Sequence, residues 1–146
     1  MYKDILLAVD LEDEGSWKEA LPDAISLCKT FGATLHVVTV VPDFGLSQVS
    51  QYFPAGTEDK ILAESANKLR TFVADHIPKD IPVQDIIGHG SIYKEIVAAA
   101  ERGNCDLIVM SSHRPELRDY VLGPNAEKVA RHTNRSVLIV RNHEAT

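Results

Sequence analysis

The sequence predicts an α/β fold built on a parallel sheet, and three observations carry that prediction. Short, predominantly apolar runs recur, as in Ile5-Leu6-Leu7-Ala8-Val9 and the β-branched "LHVVTVV" over 35–41. Between them lie longer segments whose apolar residues repeat every three or four positions. The two kinds of segment alternate along the chain. A strand that is apolar throughout, rather than at every second residue, is one covered on both faces. Amphipathic helices supply that cover through right-handed crossovers.

The first strand, residues 5–9, closes at Asp10 and an acidic turn. Ser16-Trp17-Lys18-Glu19 then matches a capping box, with Ser16 as N-cap and Glu19 reaching back. Trp17, Ala20, Leu21, Ala24, Ile25 and Cys28 form a helical stripe that ends at Gly32. Pro22 removes a backbone donor inside that stripe, so the helix starts late or kinks there. Residues 35–41 form a second, β-branched strand. In the polar loop over 42–58, Phe44, Tyr52 and Phe53 either cover a ligand or pack on the next helix, and packing is the simpler reading. That helix carries Leu62, Ala66, Leu69, Val73 and Ile77 and is stopped by Pro78. A third strand, 83–87, runs into "GHGS". There Ser91 caps a helix bearing Ile92, Ile96, Ala99 and Ala100 that ends at Gly103. Residues 106–110 are the fourth strand. After "SSHRPELRDYVLGPN" (111–125) come a helix over 125–132 and a final strand, Val137-Leu138-Ile139-Val140.

A chain of 146 residues with this pattern is expected to form one domain over 1–146. Its net charge of −6 argues against a nucleic-acid or anionic-membrane surface as the main partner. A small local anion site remains compatible with it. No apolar run approaches the ~20 residues that span a bilayer, and the N-terminus lacks the features of a signal peptide. A cytoplasmic protein is expected. Cys28 and Cys105 show no metal or redox spacing and read as buried free thiols.

Open parallel sheets bind ligands beyond the carboxyl ends of their strands, where the strand order switches. Those ends are Asp10, 40–42, 88–91 and 111–125. Gly88 and Gly90 let backbone approach a ligand closely, and Ser91 opens a helix whose amides attract anions. Gly123 stands likewise before the last helix. There is no P-loop, no nucleophile elbow and no HExxH spacing. Gly88 and Gly90 begin a GxGxxG pattern, but Tyr93 occupies the third glycine's place, which argues against a dehydrogenase.

"KDILLAVD", "GSIYKEIVAAAERGNCDLIVMSSHR" and "LGPNAEKVARHTNRSVLIVRN" together resemble the universal stress protein family over essentially the whole chain. The resemblance implies a five-stranded parallel sheet of order 3-2-1-4-5, helices on both faces, and a homodimer joined through the final strand, Val137 to Val140. It also implies an adenine nucleotide, ATP or AMP, with Mg²⁺ as an accompanying ion at Asp10. The family's glycine motif after strand four, G-x2-G-x9-G-[ST], is altered here. Ser111 and Arg114 take the first two glycine positions, Gly123 comes one residue early, and Pro124 replaces the hydroxyl residue.

Carried over by position, Ala8 and Val9 flank the adenine, and Asp10 lies by the ribose or metal. Val40 pairs its backbone with the adenine edge, and Gly90 lines the ribose. Ser111, His113, Arg114, Gly123, Pro124 and Asn125 surround the phosphates. Each position also has a local reading. Asp10 suits a strand-end turn, Gly90 a left-handed turn, Gly123 a sharp helix entry, and Arg114 a solvated pair with Glu116. Pro124 has neither N–H nor hydroxyl, yet is comfortable at a helix's first position. Asn125 can restore one donor.

Three functions follow as expectations. The first is a nucleotide-binding regulatory homodimer in the stress response, acting on a protein partner that the residues do not name. The second is a nucleotide-free stress or scaffold dimer with a degenerate pocket. The third is a slow ATPase, for which only Asp10 and His113 are available.

Overall fold

In the computed structural model, residues 1–42, 56–112 and 123–141 are described. Five strands are connected by helices: β1 (Asp4–Ala8), α1 (Ala20–Phe31), β2 (Thr34–Pro42), α2 (Thr57–His76), β3 (Val83–Gly90), α3 (Ile92–Arg102), β4 (Leu107–Ser111), α4 (Pro124–His132) and β5 (Ser136–Val140). The sheet order is β3-β2-β1-β4-β5 and every pairing is parallel. Both are as the family resemblance implied.

The all-apolar runs are the central strands. Ile5, Leu6 and Leu7 of β1 are fully buried, as are Ile108 and Val109 of β4. Alternate residues serve opposite layers. Ile5, Leu7, Leu35, Val37, Leu107 and Val109 pack with Ala20, Ala24, Cys28, Leu69 and Phe72 from α1 and α2. Leu6, Val38, Ile108 and Met110 pack with Ile96, Ala99, Ala100, Ala126 and Val129 from α3 and α4. Each buried Val, Leu, Ile, Met or Phe among them contributes roughly 1.5–3 kcal/mol by leaving water. The edge strands are less covered: β5 alternates exposed and partly buried residues before Val140, and Gln84 and Asp85 of β3 are exposed.

Several local expectations shift. α1 does not begin at a Ser16 capping box. Residues Glu14–Ser16 form a 3-10 turn, Glu19 precedes the helix without a side-chain cap bond, and the helix starts at Ala20. That late start is the one Pro22 requires. Proline in the first turn lacks only a donor that has no helical acceptor. Gly32 ends the helix in the left-handed conformation, φ +65°. β3 does not stop at Ile87 but continues through Gly90, because β2 runs on to Pro42 beside it. α2 begins at Thr57 and adds Phe72 to its buried side, while its stop at Ile77 before Pro78 is as expected. Phe44, Tyr52 and Phe53 lie outside the described residues.

Both cysteines are buried free thiols, each pushed up to about 11 by burial. At the amino edge of the sheet, His36 Nε2 lies 2.9 Å from Asp4 Oδ1. Its ring sits under Gly103, where a Cβ would come within 3.1 Å of His36 Nδ1, 3.2 Å of Cys105 Sγ and 3.3 Å of the Ala99 carbonyl oxygen.

Two outcomes are expected. Gly103→Ala should lower unfolding stability by about 1–3 kcal/mol through overpacking, measured by urea denaturation. Because burial holds the folded thiols protonated to about 11 against the ordinary 9.0 of a free thiol, their contribution is fully present below pH 9 and is lost as pH rises through 11. Native thiols should therefore stay unreactive toward a disulfide reagent at pH 8 and react once the chain is unfolded.

Candidate functional site

β1 is the switch point of the sheet. The chain leaves it toward β2 and β3 on one side, and later returns to its other side through β4 and β5. The loops leaving the carboxyl ends of β1 and β4 therefore diverge to opposite faces, which opens a crevice between them. Asp10, Ser111 and the N-terminus of α4 border it.

On the β1 side, Ala8 ends the strand opposite Val38, and the Val9 N–H donates to the Val38 carbonyl at 2.9 Å. Val9 is buried, whereas Asp10 is exposed. The Asp10 N–H donates to Ser16 Oγ at 2.8 Å, and that hydroxyl lies 3.1 Å from the Asp10 carbonyl oxygen. Asp10 Oδ1 accepts the Glu12 N–H at 3.0 Å. Ser16, read from sequence as a helix cap, instead pins the Asp10 backbone from six residues away. Serine before a helix has the same residue signature in both roles, so spacing alone does not separate them. Trp17 then seats the turn on α2. Its ring lies 5.0 Å from Phe72 and 4.9 Å from His76, centroid to centroid, both edge-on.

On the β4 side, Ser111 Oγ donates to the Gly15 carbonyl at 3.3 Å. This bond joins the two banks of the crevice. The Ser112 N–H continues the ladder to the Val140 carbonyl at 2.9 Å. Gly123 is buried immediately before α4, Pro124 is the helix's first residue, and Asn125 is partly exposed. The first helical bond runs from the Glu127 N–H to the Gly123 carbonyl at 3.0 Å. The N–H groups of Asn125 and Ala126 thus have no helical acceptor. Pro124 has none to offer. His113 and Arg114 lie outside the described residues.

Val40 and Gly90 stand farther along the edge. Val40 is opposite Gly88, and Gly90 closes β3 opposite Pro42, roughly 10 Å from β1 at two inter-strand spacings. Gly90 has φ +127°, a region that side chains rarely enter. Among the described residues a Cβ there would meet nothing within 4 Å, so its side-chain direction is open to them. The sequence-predicted positions Ala8, Val9, Asp10, Val40, Gly90, Ser111, Gly123, Pro124 and Asn125 therefore share one edge of the sheet.

The sequence profile of the universal stress protein family matches residues 1–141. The chain belongs to the universal stress protein family. It is 30% identical over 145 residues to universal stress protein G of Escherichia coli O157:H7, covering 97% of this chain and 100% of that protein. Among solved structures, the MJ0577 protein has 28% identity and a TM-score of 0.71, with 96% of each chain covered. Its curated counterpart is a universal stress protein of Methanocaldococcus jannaschii. A universal stress protein in complex with cAMP has 21% identity and a TM-score of 0.60, with 95% of this chain and 96% of that chain covered. Among the described residues no group of His, Cys, Asp and Glu has the arrangement of a metal site, and no helix is long and apolar enough to cross a membrane.

Ser16→Ala should free the Asp10 amide. Its hydrogen exchange should accelerate at least tenfold, while global stability falls by no more than about 1 kcal/mol, the net value of a neutral hydrogen bond. Residue-resolved exchange by NMR checks both.

Proposed function

We propose that this universal stress protein binds an adenine nucleotide, AMP or ATP, across the carboxyl edge of β1, β2 and β4. It would act as a cytoplasmic regulatory homodimer in the stress response, paired through β5. The observation that carries the reading is the crevice at the β1–β4 switch point. One bank ends in the exposed carboxylate of Asp10. The other ends in a helix N-terminus with two N–H groups that lack helical acceptors, where an anion is favoured. Gly90, open on its side-chain face, leaves room for a ribose farther along the same edge. That a solved relative of this fold holds cAMP supports the choice of adenine nucleotide.

Each predicted residue has a physical role in this reading. Ala8 and Val9 present apolar surface to the base, and Val40 offers its strand-end backbone. Ser111, Asn125 and the α4 amides meet phosphate, with His113 and Arg114 following Ser111 in sequence. Arginine would grip a phosphate through two parallel N–H bonds. Asp10 supplies a hard oxygen for the Mg²⁺ that accompanies a triphosphate. Among the described residues of this set no nucleophile–base pair is formed, and hydrolysis would be slow. The β5 edge, with Leu138 exposed, is of the kind that proteins cover by pairing.

Pro124 favours one competing reading, a nucleotide-free scaffold, because it deletes a donor at the first residue of α4. The test is direct. Calorimetry should detect AMP or ATP binding by the wild-type chain, and no binding at millimolar nucleotide would leave the scaffold reading. Pro124→Ser restores both N–H and hydroxyl. It should tighten binding about tenfold, the worth of one hydrogen bond to a charged group.

A further inference from the structure

The segment Gly88-His89-Gly90 at the end of β3 is held from both faces of the sheet. From the α2 face, the Glu58 carboxylate in the first turn of that helix lies 3.0 Å from His89 Nδ1. From the α3 face, Glu95 Oε1 accepts the His89 backbone N–H at 3.0 Å. Glu95 comes this close only because residue 88 is glycine. A Cβ there would stand 3.0 Å from Glu95 Cβ and 3.3 Å from Val40 Cγ2. The residue after this clamp is Gly90, at φ +127°.

The imidazole itself carries a further constraint. An ionised carboxylate only accepts hydrogen bonds, so Nδ1 is the nitrogen that carries the proton toward Glu58. His89 Nε2 is buried and, among the described residues, has no hydrogen-bond partner. A bare ring nitrogen tolerates that surrounding, whereas an N–H without an acceptor costs its full desolvation. Geometry therefore selects the neutral Nδ1–H tautomer. Glu58 and Glu95 are the charged groups that reach His89 among the described residues.

We propose that His89 is a positioning residue of the nucleotide site: tied to Glu58 by its ring and to Glu95 by its backbone, it holds Gly90 in the conformation that leaves the ribose side open. The role rests on the nucleotide reading above. His89 touches no ligand in this proposal and acts through its neighbour. It also links the start of α2 to the site.

Two measurements on the full chain test it. Nitrogen-15 NMR of the imidazoles in the nucleotide-free protein should show His89 as the Nδ1–H tautomer, and Glu58→Gln should shift that tautomer balance. Calorimetry with AMP should then show about fivefold weaker binding by His89→Ala, from the loss of one partly exposed charged hydrogen bond. His89→Gln, which keeps a donor for Glu58, should return to within about twofold of wild type. An Nε2–H tautomer, or a His89→Ala chain that binds AMP as tightly as wild type, overturns the positioning role alone. No AMP binding by the wild-type chain overturns the nucleotide reading and the positioning role with it. Melting temperature, followed for each variant, separates a folding defect from either outcome.

Discussion

The parallel hydrogen-bond ladder that β1 shares with β2 on one side and β4 on the other is the constraint from which the other features follow. Asp4 to Ala8 register against Thr34 to Val38, and Ile5 to Leu7 against Leu107 to Val109. A strand with neighbours on both sides and helices on both faces has no surface left for water. Every side chain between Asp4 and Ala8 must then be apolar and must fit its layer. The same ladder forces all five strands to end at one edge. Reversal of the strand order at β1 sends consecutive loops to opposite faces, and the crevice is the gap they leave. No residue has to be spent on making it; residues are needed only to furnish it.

The furnishing is polar and sits at the rim. Ser16 and Asp10 exchange bonds so that the first loop leaves β1 in a fixed direction, and Ser111 ties Gly15 to the opposite bank. At the far edge, β3 lacks a neighbour on one side. Its last residues are steadied instead by carboxylates from α2 and α3. The contrast with the amino edge is instructive. There His36 and Asp4 also pair across strands, but beneath Gly103 and Cys105, in a closed pocket that side chains already fill. Polarity at the amino edge holds strands together; polarity at the carboxyl edge also orders the loops that border the crevice.

Much of this was legible before any coordinates. The runs 5–9, 35–41 and 106–110 are too apolar for a half-wet sheet, so their burial followed from hydropathy alone. Helix ends at Gly32, Pro78 and Gly103 followed from residues that cannot continue a helix. The site positions clustered because the ends of parallel strands must share an edge. The features that the sequence does not display depend on partners distant along the chain. Ser16 bonds Asp10 rather than capping a helix, Gly88 is glycine for the sake of Glu95, and β3 runs three residues longer than its apolar stretch because β2 continues beside it.

The sequence by itself determined the class of fold, which runs are buried strands and which helix positions are apolar, and the edge on which a ligand would sit. Periodicity and chain-breaking residues are local properties, and a local reading suffices for them. Only the tertiary structure decided which polar groups hold one another across that edge. The bond of Ser111 to Gly15 spans 96 residues, and the clamp on His89 draws its carboxylates from two different helices. Such contacts arise when crossovers bring separate segments together in space, and a one-dimensional pattern carries no record of that meeting.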